Sequence, residues 1–173
     1  MKYLLHGAES ERLYFRLLQE EDFESWLPLF STKEAEEFLG LAFLPSPEDR
    51  CRKWFEITLT RYKEDRGGMN VLIDKQSGRL VGQCGLLMQE VDEMGELEIG
   101  YSILPEFWNH GYATEAAILC KEYAFRNKFS ESLISIVHVD NIRSERVARK
   151  NGMQLDKTTV FKEMPVNIFR VRA

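Results

Sequence analysis

Apolar residues recur along this chain in two rhythms, and the switches between them set out the order of elements. Leu13 to Leu18 reads as a first strand. Phe23, Trp26, Leu27 and Phe30 then fall at i, i+3, i+4 and i+7, the spacing that lines one face of a helix. A loop containing Pro45 and Pro47 follows, where Ser46 is placed to cap a second helix with Pro47 at its first position and Asp49 as acidic partner. Cys51, Trp54, Phe55, Thr58, Leu59 and Tyr62 form the stripe of that helix, and Gly67-Gly68 closes it.

The next three segments alternate as strands. They are Met69 to Asp74, Arg79 to Gln89 and Glu96 to Leu104, joined by turns at residues 75–78 and 92–95. Gly111 to Arg126 has a helical pattern, and Leu133 to Val139 is a β-rich run expected to be buried on both faces. Ile142 to Lys150 is a short helix stopped by Asn151-Gly152, and Leu155–Phe161 and Val166–Val171 are the final strands. The predicted order is β-α-α-β-β-β-α-β-α-β-β. The strand–helix–strand passage from Leu104 to Leu133 needs a parallel neighbour inside a mostly antiparallel sheet, so a mixed α/β (α+β) architecture follows. No internal repeat, low-complexity segment or long linker interrupts the chain, and one domain over residues 1–173 is expected.

Composition changes this picture little. The chain has 173 residues, 44% hydrophobic and 29% charged, enough for a full core. No apolar run approaches the roughly 20 residues needed to span a bilayer, and the segment Met1 to Glu9 breaks off too soon for a signal peptide, so a cytoplasmic protein is expected. Cys51, Cys84 and Cys120 lie far apart with no Cys-x-x-Cys pair, and the three histidines are scattered. Neither a disulfide framework nor a metal site follows. A net charge of −5 argues against non-specific nucleic-acid binding. It does not forbid a local anion site, because salt screens charges beyond about 8 Å.

Such a site is suggested where the strand ending at Leu104 gives way, through Asn109-His110-Gly111-Tyr112-Ala113, to the long helix. Small residues two apart let backbone close around an anion. The first helical turn adds N–H groups without intrahelical partners and the positive end of the helix dipole, a nest suited to pyrophosphate. Taken singly, Gly111 and Ala113 could serve only close helix–sheet packing, and Asn141 could simply cap the following helix.

Together these stretches resemble the GNAT superfamily of acyl-CoA-dependent N-acetyltransferases, most closely its RimJ/RimL-type branch, which modifies protein N-termini or small amines. Two motifs about 30 residues apart carry the likeness. One is the family's pyrophosphate loop, here Trp108-Asn109-His110-Gly111-Tyr112-Ala113 followed by Thr114-Glu115-Ala116. Trp at its first position departs from the general Gln/Arg but is usual in this branch. The other is Asn141-Ile142-Arg143-Ser144, leading to Val147-Ala148-Arg149-Lys150-Asn151-Gly152-Met153.

The resemblance implies a GNAT fold of six or seven mostly antiparallel strands and about four helices, with a parallel pair splayed at an acyl-CoA cleft. Acetyl-CoA would be the co-substrate, with no metal. Main-chain groups of Ser102, Ile103 and Leu104 would face the pantetheine arm, and the Ser102 N–H would polarise the thioester carbonyl. The amides from Asn109 through His110, Gly111, Tyr112 and Ala113 to Thr114 would hold the pyrophosphate, and Asn141 would bond the pantetheine. Glu98 would be the base, with Glu96 as fallback. Alternation puts Glu96, Glu98 and Gly100 on one face, opposite Leu97, Ile99 and Tyr101. Many relatives carry a tyrosine acid where Ala148 stands, so Ser144 is the hydroxyl candidate.

The acceptor would be an amine-bearing small molecule or a protein N-terminus. An α-amine near pKa 7.8 costs about 1 kcal/mol to deprotonate at pH 7 and a lysine-like amine about 4.6, which leans toward the former. Residues 30–51 and the last hairpin would wall its pocket; Phe38, Leu41, Phe43 and Trp54 could line it or belong to the core, the core being the favoured reading. No membrane partner is expected, and a homodimer is left open. The competing reading is a coenzyme A-binding module of the same fold without turnover. A nucleotide-binding protein is the weakest reading, since no Gly-Lys-Ser/Thr occurs.

Overall fold

The computed structural model describes residues 1–173. Its strands are β1 (Leu13–Arg16), β2 (Gly67–Asp74), β3 (Leu80–Val91), β4 (Met94–Ile103), β5 (Ser132–His138), β6 (Gln154–Phe161) and β7 (Met164–Arg172). They form one sheet of order β1-β2-β3-β4-β5-β7-β6, antiparallel throughout except for β4 beside β5. The helices are α1 (Phe23–Trp26), α2 (Lys33–Phe38), α3 (Pro47–Lys63), α4 (Tyr112–Arg126) and α5 (Ile142–Lys150).

Five helices replace the expected four because the stripe beginning at Phe23 is broken. Pro28 has no N–H to donate back along the helix, so α1 ends at Trp26 and the chain continues as a 3-10 turn over Leu27–Ser31. Thr32 then starts the unforeseen α2, its hydroxyl accepting the Ala35 N–H at 3.1 Å. Gly67 and Gly68 do not end a helix. They open β2, while α3 stops at Lys63. Ser46 caps α3 as expected, its Oγ accepting the Asp49 N–H.

Two cores lie on opposite faces of the sheet. On one, α4 buries Ala116, Ala117, Cys120 and Ala124 against Leu13, Phe15, Leu72, Cys84, Leu97 and Ile99. On the other, Trp26, Phe30, Cys51 and Phe55 pack over Val71. The Arg16 guanidinium grips the Asp22 carboxylate through both nitrogens, at 2.8 and 2.7 Å, tying α1 to β1.

Candidate active site

The β3–β4 hairpin fixes which main-chain groups of β4 are free. It closes through a two-residue turn, Asp92-Glu93, with φ of 49° and 63°, so Val91 pairs with Met94. At the other end the Leu104 N–H donates to the Val81 carbonyl at 3.0 Å. Antiparallel exchange pairs recur at every second residue, and the register has no bulge. Ser102 therefore falls on an exchange pair with Gln83 and turns its N–H and C=O into β3. Tyr101 and Ile103 point the other way, toward β5. Two carbonyls confirm that parity: Ile99 accepts from the Ser135 hydroxyl on β5 at 2.8 Å, and Ile103 from Trp108 Nε1 at 2.8 Å.

This corrects the sequence-based placement of the main-chain groups. Of Ser102, Ile103 and Leu104, only Ile103 presents its backbone on the β5 side, and Tyr101 joins it. The β4–β5 ladder has one bridging pair, Glu98 with Ile134. Beyond it the strands part, Ser135 satisfies Ile99, and the Tyr101 and Ile103 N–H groups face an open cleft. Ser102 keeps a place among the residues that line the cavity.

Below the cleft the chain turns sharply. Asn109 and Gly111 take left-handed backbone, φ 62° and 80°, and α4 starts at Tyr112 without a side-chain cap. From Asn109 to Thr114, through His110, Gly111, Tyr112 and Ala113, no N–H has an acceptor in the protein, and the Glu115 N–H is the first to bond, to Gly111. The unpaired row predicted from the sequence is therefore present. Arg12 braces the loop by donating to the His110 carbonyl at 2.9 Å and to Glu115 at 2.7 Å. Burial opposes ionisation of Glu115, but Ser10 and Arg12 outweigh it and hold the carboxyl below its usual range. Arg143 lies 3.7 Å over the Trp108 ring, and Arg146 and Lys150 extend the same positive flank along α5.

Asn141 caps α5, its Oδ1 accepting the Ser144 N–H at 3.1 Å, which leaves the amide nitrogen for a ligand. Ser144 lines the cleft, and its carbonyl accepts the Tyr101 hydroxyl at 2.7 Å. Ala148 is buried in the core, so no hydroxyl stands there.

Tyr101, Ser102, Ile103, Asn109, the residues 111–114, Asn141 and Ser144 border one cavity of about 1080 Å³ that runs to the other face of the sheet. At that end stands Glu98, whose Oε2 accepts from the Gln89 amide at 2.7 Å; Gln89 Oε1 in turn accepts from Arg61 at 2.8 Å. Burial pushes the Glu98 carboxyl above the ordinary glutamate range, against the pull of Gln89, Lys162, Arg61 and the Ile136 backbone. The residue beside it is Gly100, where a Cβ would meet Leu87 at 2.9 Å. Its absent side chain keeps the floor next to Glu98 clear. The fallback, Glu96, is committed elsewhere: Arg170 holds it at 2.6 and 3.0 Å.

Residues 34–43 and the β6–β7 hairpin do wall this end. Phe38, Leu41, Phe43 and Trp54 all line it. Leu41 is also core, whereas Phe43 is 73% exposed and belongs to no core, contrary to the reading favoured from sequence. Gln89, Arg61, Lys162 and the Tyr101 backbone were not foreseen. For Tyr101 the parity set by a two-residue turn was the signal available; a single sequence offered none for the others.

A mixed sheet splayed at one parallel pair, with an unpaired amide row beneath the splay, defines an acyl-carrier transferase fold. The chain belongs to the GNAT acetyltransferase family: the acetyltransferase (GNAT) domain matches residues 12–154. It is 32% identical over 122 residues to the uncharacterized protein YkkB of Bacillus subtilis, covering 69% of this chain and 70% of YkkB. In fold it resembles an acetyltransferase from Agrobacterium tumefaciens (TM-score 0.79, 22% identity, 96% and 94% covered). It also resembles RimL, a ribosomal L7/L12 α-N-protein acetyltransferase solved with coenzyme A (TM-score 0.75, 16% identity, 96% and 97% covered). No helix is long and apolar enough to cross a membrane, and no cluster of His, Cys, Asp or Glu is arranged for a metal ion.

Proposed function

We propose that this chain is an acetyl-CoA-dependent N-acetyltransferase of the RimJ/RimL type, moving an acetyl group to a primary amine of a protein N-terminus or small molecule by direct attack on the thioester. The observation that carries this reading is the run of unpaired N–H groups from Asn109 to Thr114 opening onto the same cavity as Glu98. The donor set fits a diphosphate: charge-assisted hydrogen bonds contribute roughly 1.5–3 kcal/mol each, and the cations of α5 stand at the same end. The coenzyme supplies an activated acetyl thioester.

The residues divide the remaining work. The Ile103 and Tyr101 N–H groups and the free nitrogen of Asn141 hold the pantetheine arm along the parted edge of β4. The Tyr101 N–H, rather than that of Ser102, is the donor aimed at the thioester carbonyl. Glu98, with its basicity raised by burial, takes the proton from the attacking amine directly or through water. The Ser144 hydroxyl, without a protein partner, protonates the departing thiolate. A cytoplasmic setting accords with three free cysteines, Cys51, Cys84 and Cys120.

Release of free thiol from acetyl-CoA in the presence of an amine panel, with calorimetry of coenzyme A binding, tests this reading. Saturable binding and amine-dependent thiol release are expected. Binding without release would favour the silent module, for which the alanine at 148 speaks. Absence of binding at millimolar coenzyme A would overturn both.

A further inference from the structure

The cavity is lined by six lysines and arginines but only two glutamates, Glu34 and Glu98, in a protein whose net charge is −5. The excess is therefore local. Three of the cations sit on α5 beside the amide row. Lys53 is committed to Glu56 at 3.0 Å. That leaves Arg61 and Lys162, both at the Glu98 end, and phosphate binding at the far end explains neither.

Arg61 is an internal strut. Its guanidinium donates to the Arg66 and Met88 carbonyls and to Gln89, and thereby fixes the amide that holds Glu98. Lys162 has no such employment. It occupies the two-residue β6–β7 turn, with φ 49°, so its place is set by the hairpin. It forms no ion pair within 4 Å, and its ammonium has only the neighbouring Phe161 ring at 5.3 Å. Desolvation lowers its pKa, and the field of Glu98 opposes that. The hairpin tip is steadied by Met164, whose Cε lies 3.3 Å from where a Cβ on Gly40 would stand, between the two walls of the acceptor end.

An unpaired ammonium beside a proposed catalytic base is unfavourable for the base, since a nearby cation weakens a carboxylate's hold on a proton. It is also unfavourable for an acceptor bearing further positive charges, which would meet Lys162 and Arg61 head-on. Both conflicts vanish if the acceptor brings its own negative charge. We propose that the acceptor is an amine carrying a compact anionic group, a carboxylate or a phosphate, near its amino nitrogen, and that Lys162 holds that group while Glu98 faces the amine. This rests on the N-acetyltransferase reading above.

The test uses the full chain with acetyl-CoA and matched acceptors: an amino acid, its carboxamide, the alkylamine lacking the acid, an aminoalkyl phosphate and a polyamine. Acid-bearing acceptors should exceed their neutral partners by about 10-fold or more in kcat/KM, mostly through KM, the scale of one hydrogen bond to a charged group. The carboxylate and phosphate arms identify which anion is read. Lys162→Met should shrink the preference to within about 3-fold and Lys162→Arg should keep most of it, with coenzyme A affinity by calorimetry unchanged in both, because the lost contact is to the acceptor alone. Equal or better use of neutral or polycationic acceptors would overturn the proposal, as would a preference that survives Lys162→Met. Transfer without preference sinks this inference only, whereas coenzyme A binding with transfer to no amine sinks it together with the N-acetyltransferase reading.

Discussion

The two ends of the cavity are made of different materials. The end proposed for the coenzyme is main chain: N–H groups of residues 109–114 and the parted edge of β4. The end proposed for the acceptor is side chain: Glu98 held by Gln89, with Arg61, Lys162 and a rim that includes Phe43. Main-chain donors are present whatever the residue, proline excepted, so that end changes chiefly when the backbone path changes. The acceptor end can be rewritten one side chain at a time. A fold that keeps one carrier and varies its acceptors needs this division.

Glu98→Gln should give the largest effect and the sharpest test of the side-chain end. Turnover should fall about 10²–10⁴-fold, the usual worth of a positioned base, while coenzyme A affinity by calorimetry holds. Stability should move the opposite way. A glutamate whose folded pKa is raised makes the folded chain hold more protons than the unfolded one, from the ordinary glutamate range (about 4.3) up to the raised value. Stability therefore falls as pH rises through that window and stays reduced above it. The variant escapes this penalty, so its Tm should exceed the parent's at neutral pH and the gap should close toward pH 4. In the parent, activity should be lost on acidification at a pH above the ordinary glutamate range.

Gly111→Val tests the main-chain end. Gly111 sits at φ 80°, where a β-branched residue is a steric outlier, and an added Cβ would approach Arg12 Nη2 at 3.4 Å. The loop must shift, and misaligning one or two charge-assisted bonds should weaken coenzyme A binding about 10–100-fold by calorimetry. Unchanged affinity would mean that the amide row is not the anion site.

The same division explains what could be read from the sequence. Gly111 and the small Ala113 announced the loop because backbone that approaches an anion needs small residues there, and alternation of Leu97, Ile99 and Tyr101 placed Glu98 on the opposite face of β4. The β4 main chain was misjudged by one residue because side-chain alternation says nothing about which neighbour a backbone group faces. That parity is set at the Asp92-Glu93 turn, and a four-residue turn at 92–95 hid it. Helix α2 escaped notice because Pro28 interrupts the stripe and the six residues after Thr32 are too few to show a period. Gln89 lies only across the β3–β4 hairpin from Glu98, but Arg61 and Lys162 come from a helix and a turn distant in sequence, and only the assembled fold brings them to Glu98.

Ser144→Ala should have a smaller effect, since it removes the hydroxyl and leaves the Asn141 cap, which uses the Ser144 backbone. Turnover should drop about 10-fold, below the full range for a positioned proton donor because water can substitute. Coenzyme A affinity should stay within about 2-fold, because no main-chain donor is lost. Equal turnover would remove Ser144 from the chemistry and leave the cleft's backbone as its only contribution.

Phe43→Ala should be the gentlest change, and it separates lining from core at the side-chain end. Phe43 is 73% exposed and buries little when the chain folds, so truncation should alter stability by no more than about 0.5 kcal/mol. Its ring nonetheless borders the acceptor end. An acceptor that covers that ring would recover part of the transfer energy of apolar surface, about 25 cal/mol per Å². KM for the best acceptor should therefore rise about 2- to 5-fold, with kcat and coenzyme A affinity unchanged, the pattern of a contact made equally in ground and transition states. A fall in Tm of several degrees would instead mark Phe43 as a structural residue and move the acceptor's wall deeper, toward Phe38 and Trp54.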